Sequence, residues 1–299
     1  MKVLVAGASG FVGRQLCVDL DRAGHDVVAM TRNPPGYRGA GTPVHGDVQD
    51  PATLGPAMAG CQAAYYLVHS LNDPDFERKD AAGATAFGEA AAQAALRRIV
   101  YLGGLGDDAD SLSAHLRSRR EVENRLHVGG VPVTVIRAGI IIGHGGISWE
   151  LTHQLVERLP VMITPRWVAT RTQPIAISDV VRYLAGVLEP PEAAGRVYEV
   201  GGPDVLQYST MLRRVAAIEH RPLLLLPVPL LSPSLSSLWL TLVTDVDPGT
   251  GRALVDSMTN EVVVRDQSIR DLIPAQPMSY DDAVRAALRA RRGAQRASS

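Results

Sequence analysis

Cysteine and lysine are scarce in this chain of 299 residues. The two cysteines, Cys17 and Cys61, do not have the spacing of metal ligands, and so few cysteines are typical of a reducing interior. The two lysines are Lys2 and Lys79, and the formal net charge is -1. A chain so balanced in charge has no strong electrostatic attraction for nucleic acid or an anionic membrane. We therefore expect neither partner, and no metal site.

The chain also lacks an unbroken apolar run of membrane-spanning length. The longest candidate, residues 223–243, is interrupted by Pro227, Pro229 and Pro233, and a spanning helix rarely carries three prolines so close together. We interpret it as a broken, largely buried segment, with contact to lipid or a lipophilic substrate as the alternative. A strand that starts at Lys2 leaves no signal peptide before it, so a cytoplasmic protein is predicted.

A glycine-rich turn directly follows the first predicted strand. Residues 2–6 are apolar enough for a buried strand, Gly7, Gly10 and Gly13 come next, and a helix is predicted over 14–22. The first glycine of such a motif allows a tight turn, the second lets the backbone approach a pyrophosphate, and the third lets the helix pack on the strand. The helix N-terminus then offers free N–H groups to phosphates. The stretch predicts a dinucleotide site, with a purely structural turn as the alternative.

Further short apolar runs alternate with helix-forming stretches. They occupy residues 26–30, 44–48, 63–68, 98–102 and 131–137. This alternation predicts an α/β fold with a doubly wound parallel sheet, a Rossmann fold, whose ligands bind beyond the carboxyl ends of the strands.

Beyond Gly143 the alternation weakens, which predicts a second part of the chain. Residues 1–147 are expected to form the NAD(P)-binding domain, to which the segment 174–203 returns. Residues 148–299 are expected to form a smaller substrate-binding lobe. Within that lobe the pattern predicts an irregular loop over 160–173, a helix capped by Ser178-Asp179, and a disordered polar tail over 293–299.

The end of the second predicted strand indicates which dinucleotide fits. An acidic residue there accepts hydrogen bonds from the adenine ribose, whereas an arginine accommodates a 2′-phosphate. This chain has Thr31 and Arg32, and no acidic residue follows before Asp47. We therefore predict NADP(H) in preference to NAD(H), with a solvated surface arginine as the alternative. Asp47 is expected either to meet the adenine or to serve as a turn residue.

Six motifs give the chain a family resemblance. They are Gly7-Ala8-Ser9-Gly10-Phe11-Val12-Gly13, Thr31-Arg32-Asn33-Pro34, Gly46-Asp47-Val48, Tyr101-Leu102-Gly103-Gly104, Arg137-Ala138-Gly139 and Ser178-Asp179-Val180-Val181. With these motifs the chain resembles the extended and atypical branch of the short-chain dehydrogenase/reductase superfamily. More closely, it is similar to the NmrA-like and nucleoside-diphosphate-sugar-epimerase-like proteins.

The resemblance implies contacts to each part of the cofactor. The glycine-rich turn would hold the pyrophosphate, Arg32 the 2′-phosphate, and Asp47-Val48 the adenine. Residues 67–69 would line the riboses, and residues 138–140 would flank the nicotinamide. Together with the residues argued above, the expected cofactor contacts are Gly7, Ser9, Gly10, Phe11, Val12, Gly13, Thr31, Arg32, Asp47, Val48, Leu67, Val68, His69, Ala138, Gly139 and Ile140.

The chain departs from the family where catalytic members carry Tyr-x-x-x-Lys on the helix after the fifth strand. Neither lysine of this chain lies four residues after a tyrosine, and the corresponding helix has His115 and Arg119 one turn apart. Arg119 could anchor the ribose hydroxyls or a phosphate of the cofactor, and His115 could supply a proton near neutral pH. His69, after the fourth strand, is a second candidate. The alternative for the helical pair is a solvated, charged surface.

Five residues after the sixth strand are candidates either to clamp a planar or anionic ligand or to join the two lobes. They are Trp149, Glu150, Arg166, Trp167 and Gln173. The proline-broken run through Leu235 and Trp239 would form an apolar lid, which favours a hydrophobic substrate over a sugar nucleotide.

Three functions follow as hypotheses. The first is an NADP(H)-dependent oxidoreductase of a small, fairly apolar carbonyl, enone or quinone-like compound, in which the cofactor transfers hydride and His115 or His69 the proton. The second is a non-catalytic NADP(H)-binding regulator or scaffold, which the missing Tyr-x-x-x-Lys favours. The third, an isomerase or epimerase that uses bound cofactor, has less support because the tyrosine is missing.

Overall fold

A computed structural model describes residues 1–107, 111–227, 244–245 and 247–298. Its strands are β1 (Lys2–Ala6), β2 (Asp26–Thr31), β3 (Thr42–His45), β4 (Ala63–Tyr66), β5 (Arg98–Gly104), β6 (Val133–Ala138), β7 (Ile141–Ile142), β8 (Val161–Thr164), β9 (Arg171–Thr172), β10 (Ile175–Ala176), β11 (Val197–Val200), β12 (Leu206–Gln207) and β13 (Leu224–Pro227). Its α-helices are α1 (Phe11–Arg22), α2 (Leu54–Met58), α3 (Phe76–Gln93), α4 (Ala114–Leu126), α5 (Ile147–Arg158), α6 (Ile177–Gly186), α7 (Tyr208–Ile218), α8 (Pro248–Ser257), α9 (Ile269–Leu272) and α10 (Tyr280–Ser298).

Seven parallel strands form the central sheet, in the order β11-β6-β5-β4-β1-β2-β3. Strand β1 is buried from Val3 to Ala6, as expected of a strand that helices cover on both faces. One hydrophobic core packs α1 and α6 against the sheet, and another packs α2, α3 and α4 against its opposite face. The predicted α/β fold with a doubly wound parallel sheet is confirmed.

The strand order places a crevice between β1 and β4. From β1 the chain adds β2 and β3 on one side, then crosses back to add β4, β5 and β6 on the other. In such sheets the loops leaving the two strands at this reversal diverge to opposite faces, and ligands bind between them. Here the backbone N–H of Leu67, after β4, donates to the carbonyl of Ala6 at 3.0 Å. The glycine-rich turn and the segment after Tyr66 therefore border one crevice.

The C-terminal part builds a third hydrophobic core and also returns to the sheet. That core gathers side chains of α5, α7, α8 and α10, among them Trp149, Met211, Val255 and Val284. Strand β11 pairs with β6 at the edge of the central sheet, and α6 packs on α1.

Three features outside the central sheet differ from the sequence predictions. Residues 160–173, expected to be irregular, contain β8 and β9, which pair with the distant strands β13 and β12. Helix α6 begins at Ile177 after the cap residue Ala176, so Asp179 lies in its first turn and not at its cap. Helix α10 continues to Ser298, through polar residues expected to be disordered.

Among the helices that the structure describes, none combines the length and the apolar character that a membrane crossing requires. The run through Leu235 and Trp239, interpreted above as a lid, lies outside the described residues.

Candidate functional site

The glycine-rich turn has its shape because two of its glycines tolerate no side chain. Gly7 has φ +86°, and a Cβ atom there would lie 2.9 Å from the carbonyl oxygen of Leu67. A Cβ atom on Gly13 would lie 2.2 Å from the carbonyl oxygen of Gly7, so α1 can pack against β1 only with glycine at that position. Gly10 differs, because its backbone is extended (φ -76°, ψ 174°) and the nearest clash, with Gly7, is at 3.1 Å. Gly7 and Gly13 are required by the fold, and Gly10 is exposed to the crevice.

A groove follows the carboxyl edge of the sheet at this turn. It consists of two cavities of about 270 Å³ and about 400 Å³. The cavities share Gly7, Gly10, Leu67 and His69, which places the glycine-rich turn in the middle of the groove. Helix α1 begins there with no side chain capping its N-terminus, so its first N–H groups are available to a phosphate.

The smaller cavity contains the residues predicted to bind the adenosine end. Thr31 is 8% exposed at the end of β2, whereas Arg32 is exposed and makes no hydrogen bond or ion pair with a described residue. Strand β3 ends at His45, earlier than predicted, so Asp47 lies on the following turn. One carboxylate oxygen of Asp47 accepts the N–H of Gln49 at 2.9 Å, as expected of a residue that stabilises a turn. Asp47 also lines the cavity.

The larger cavity is lined by the three residues predicted to supply a proton or to anchor the cofactor, His69, His115 and Arg119. His115 and Arg119 reach it from one face of α4, and His69 reaches it from beyond the end of β4. Desolvation by burial, together with the positive charges nearby, lowers the pKa of His115 to about 3. Desolvation and the charge of Arg119 also lower the pKa of His69, although this residue is exposed and lines both cavities. His115 is therefore neutral at pH 7, which differs from the expected titration near neutrality.

Arg119 lies between the groove and a buried carboxyl group. Its carbonyl accepts the hydroxyl of Tyr101 at 3.2 Å, and its side chain is also within hydrogen-bonding reach of Tyr101. Behind it, Asp80 on α3 is 4% exposed. Burial raises the pKa of Asp80, and the charge of Arg119 is the first influence that opposes this rise. A guanidinium has five N–H donors, so the contact with Tyr101 leaves others that can reach a ligand in the cavity.

The groove gathers the predicted cofactor residues with one exception. Those that line it are Gly7, Ser9, Gly10, Phe11, Val12, Gly13, Thr31, Arg32, Asp47, Val48, Leu67, Val68, His69, Arg119, Ala138 and Gly139. The exception is Ile140, which is not among the lining residues and whose side chain packs in the third core at 9% exposure.

Two of the residues predicted either to clamp a ligand or to join the lobes are buried between segments of the chain. Trp149 is fully buried in the third core. The side-chain amide of Gln173 donates to the carbonyl of Gly202 at 2.6 Å and accepts the N–H of Val264 at 3.0 Å. Both residues therefore join segments of the chain, the alternative that the sequence left open. The side chains of Arg166 and Trp167 lie outside the described part of the structure.

Two polar residues of the larger cavity were missed by sequence reasoning. The hydroxyl of Thr250, on α8, lies 2.7 Å from the side-chain oxygen of Asn72, and both residues line the cavity. They are 178 positions apart in the chain, so no local pattern connects them. Thr250 is recognisable from sequence only as a residue near a helix start, after Asp247-Pro248.

Known proteins with similar sequences include NAD(P)H-binding proteins, as the shape of this groove suggests. Residues 7–169 match the model of a family described as NAD(P)H-binding. A relative from Streptomyces griseus, (4-alkanoyl-5-oxo-2,5-dihydrofuran-3-yl)methyl phosphate reductase, is 28% identical over 233 residues, which are 74% of this chain and 75% of that protein.

Two solved structures share the fold over nearly their full length. An NADPH-dependent quinone oxidoreductase from Escherichia coli is 19% identical, with 95% of this chain and 98% of that chain covered and a TM-score of 0.76. A nucleoside-diphosphate-sugar epimerase from Staphylococcus aureus is 14% identical, with 95% and 99% covered and a TM-score of 0.76. Both structures confirm the predicted fold, and the family model confirms the predicted NAD(P)-binding family. Because the family model spans more than half of the sequence, the chain belongs to the NAD(P)H-binding family.

Proposed function

We propose that this protein is an NADP(H)-dependent oxidoreductase acting on a small, fairly apolar carbonyl, enone or quinone-like compound. The observation that carries the proposal is the continuous groove. It runs from an unpaired arginine, Arg32, past the open helix N-terminus of α1, to a cavity that holds His69, His115 and Arg119. A dinucleotide has the same order of parts, because its phosphates lie between the adenosine and the nicotinamide.

The residues present fit the cofactor at each position. Arg32 would hold the 2′-phosphate, the N–H groups at the start of α1 would hold the pyrophosphate, and Arg119 would hold the ribose near the nicotinamide. When bound, the nicotinamide supplies a hydride. A neutral imidazole can donate a hydrogen bond to a substrate oxygen without being an imidazolium acid, so His115 would polarise that oxygen.

The lining of the larger cavity supports an apolar substrate. Its walls include Leu71, Leu102, Ile141 and Ile147, and none of the described residues that line it carries a carboxylate. An uncharged ring or chain with one or two oxygens matches these walls, because its body contacts aliphatic carbon and its oxygens meet the histidines. The two relatives named as reductase and quinone oxidoreductase support the same reaction class.

The decisive experiment is an assay of NADPH oxidation by the purified protein against quinones and enones with different chain lengths. We expect turnover with at least one class, and faster turnover with NADPH than with NADH. Tight NADPH binding without turnover on any acceptor would instead support the regulatory function. One observation favours that second function: within the described part of the chain, no tyrosine lines the groove.

Arg32→Ala is expected to raise the dissociation constant of NADPH about 10-fold or more and to leave that of NADH nearly unchanged. A charge-assisted hydrogen bond to a phosphate contributes about 1.5–3 kcal/mol, and only NADPH carries the 2′-phosphate. Titration of both cofactors by fluorescence against the wild type and the variant measures the effect. Arg38→Ala, which alters a nearby exposed arginine bonded to backbone carbonyls, is the matched control. Equal affinity of the wild type for both cofactors would contradict the proposed preference.

A further inference from the structure

A loop at one wall of the larger cavity is held by a carboxylate that sequence reasoning did not connect with the cofactor. The loop, residues 143–146, joins β7 to α5, and its Gly145 and Gly146 line the cavity. Glu150, in the first turn of α5, accepts the N–H of Gly145 and the Nδ1–H of His144 with the same carboxylate oxygen, each at 2.9 Å. One side chain therefore fixes the two residues at the tip of the loop.

The other oxygen of Glu150 is bound from the far end of the chain. Arg291, on the last helix α10, donates from one guanidinium nitrogen to this oxygen at 3.1 Å. The three charged or titratable side chains of this cluster, His144, Glu150 and Arg291, are 21–33% exposed. At that exposure an ion pair is screened less than on an open surface, and both oxygens of the carboxylate are occupied.

Arg291 is itself held in place by neighbours on α5. The same guanidinium nitrogen that binds Glu150 lies 3.0 Å from Nδ1 of His153, and a second nitrogen lies 3.5 Å from Glu157. Because arginine can only donate, Nδ1 of His153 must accept, and the proton of this ring is on Nε2. That Nε2 lies 3.2 Å from a carboxylate oxygen of Glu219, which completes the hydrogen bonding of the ring.

The loop in turn supports the glycine-rich turn through Phe11, the first residue of α1. A Cβ atom on Gly146 would lie 2.7 Å from the ring of Phe11, and one on Gly143 would lie 2.9 Å from it. The ring of Phe11 therefore rests directly on the loop backbone, and it lines the larger cavity beside Gly10. A displacement of the loop would move Phe11 and with it the start of α1.

We propose that Glu150, held by Arg291, is a positioning residue for the dinucleotide. The contacts run from α10 through Arg291 to Glu150, from Glu150 to the loop 143–146, and from the loop to Phe11 at the N-terminus of α1. The last helix is thereby part of the cofactor site although it is remote from it in sequence. The inference rests on dinucleotide binding alone and does not require that the protein turn over a substrate.

The test compares NADPH binding and loop protection in variants of the full chain. Glu150→Ala removes the acceptor of the Gly145 N–H and the partner of Arg291, and we expect an NADPH dissociation constant about 10-fold higher. Glu150→Gln keeps an acceptor oxygen for the Gly145 N–H but loses the ion pair with Arg291, so its dissociation constant should fall between those of the wild type and Glu150→Ala. Arg291→Ala removes the same ion pair and should match Glu150→Gln. Hydrogen–deuterium exchange of the loop peptide should rise in the same order.

Arg214→Ala is the matched control because it removes an ion pair at the start of α10, far from Arg291 on the same helix. Arg214 on α7 binds Asp281 near the start of α10 at 2.7 Å and Asp204 at 3.1 Å, with no contact to the loop 143–146. We expect it to lower the melting temperature while leaving NADPH affinity and loop exchange unchanged. Unchanged affinity in Glu150→Ala, or an equal loss in Arg214→Ala, would overturn the proposal. Wild-type protein that binds NADPH but reduces no acceptor would overturn the oxidoreductase function and leave this inference standing.

Discussion

Replacing Gly10 by valine is expected to abolish NADPH binding while the protein remains folded. The backbone of Gly10 is extended and therefore open to a β-branched residue, and a Cβ atom there meets only the Gly7 carbonyl at 3.1 Å. The added methyl groups would occupy the space between the turn and a pyrophosphate. Losing two charge-assisted hydrogen bonds from the start of α1 weakens binding by about 100-fold or more. Calorimetric titration and circular dichroism measure the two effects.

Two further glycine variants separate the ligand effect from the fold. Gly55→Val places the same side chain on the exposed surface of α2, where nothing lies within 4 Å of a Cβ atom, and should bind NADPH like the wild type. Gly13→Ala should lose the fold itself, because its Cβ atom would lie 2.2 Å from the carbonyl oxygen of Gly7. If Gly10→Val bound NADPH with nearly normal affinity, the turn would have only a structural role.

Replacing His115 by alanine is expected to slow turnover by about 10²–10⁴-fold, the usual contribution of a positioned proton donor or acceptor. Cofactor affinity should stay nearly intact, because the proposed contact of His115 is to the substrate. Arg119→Ala is the complementary variant, and it should raise the dissociation constant of NADPH. An arginine stays protonated at pH 7 and cannot relay a proton, so its proposed role is to anchor the cofactor.

The pH dependence provides an independent check on His115. Its pKa is lowered to about 3, so the ring stays neutral between pH 5 and pH 8 and kcat should show no step near pH 6.5 from this residue. A step near pH 6.5 that disappears in His115→Ala would show that bound ligands restore an ordinary pKa. Turnover that survives His115→Ala intact would assign the proton to His69, to water or to the substrate.

Much of the cofactor half of the groove was predictable because its signals are local. A buried strand, a turn that needs glycine and a helix start are consecutive in the chain, and Arg32 comes directly after the next strand. The helical spacing of His115 and Arg119 likewise placed both on one face of α4. Ile140 does not line the groove, and it directly precedes the short pairing of β7 with β10, which follows no repeating pattern.

The larger cavity was less predictable because its parts come from distant segments. Asn72 meets Thr250, and strand β8 pairs with β13, across separations that leave no periodic trace in the sequence. Residue type alone left two roles open for Trp149 and Gln173, and their burial between elements decides for the joining role.

By itself the sequence determined the fold class and the order of the nucleotide-binding motifs, since strand and helix periods and glycine requirements are properties of neighbouring residues. Only the tertiary structure decided the protonation state of His115 in the groove and the contacts that hold the loop 143–146 at its wall. The pKa of His115 depends on burial and on Arg119, and the loop 143–146 depends on Glu150 and Arg291, which are 141 positions apart. Burial and long-range hydrogen bonds exist only once the chain has folded, because each requires groups that the sequence keeps apart.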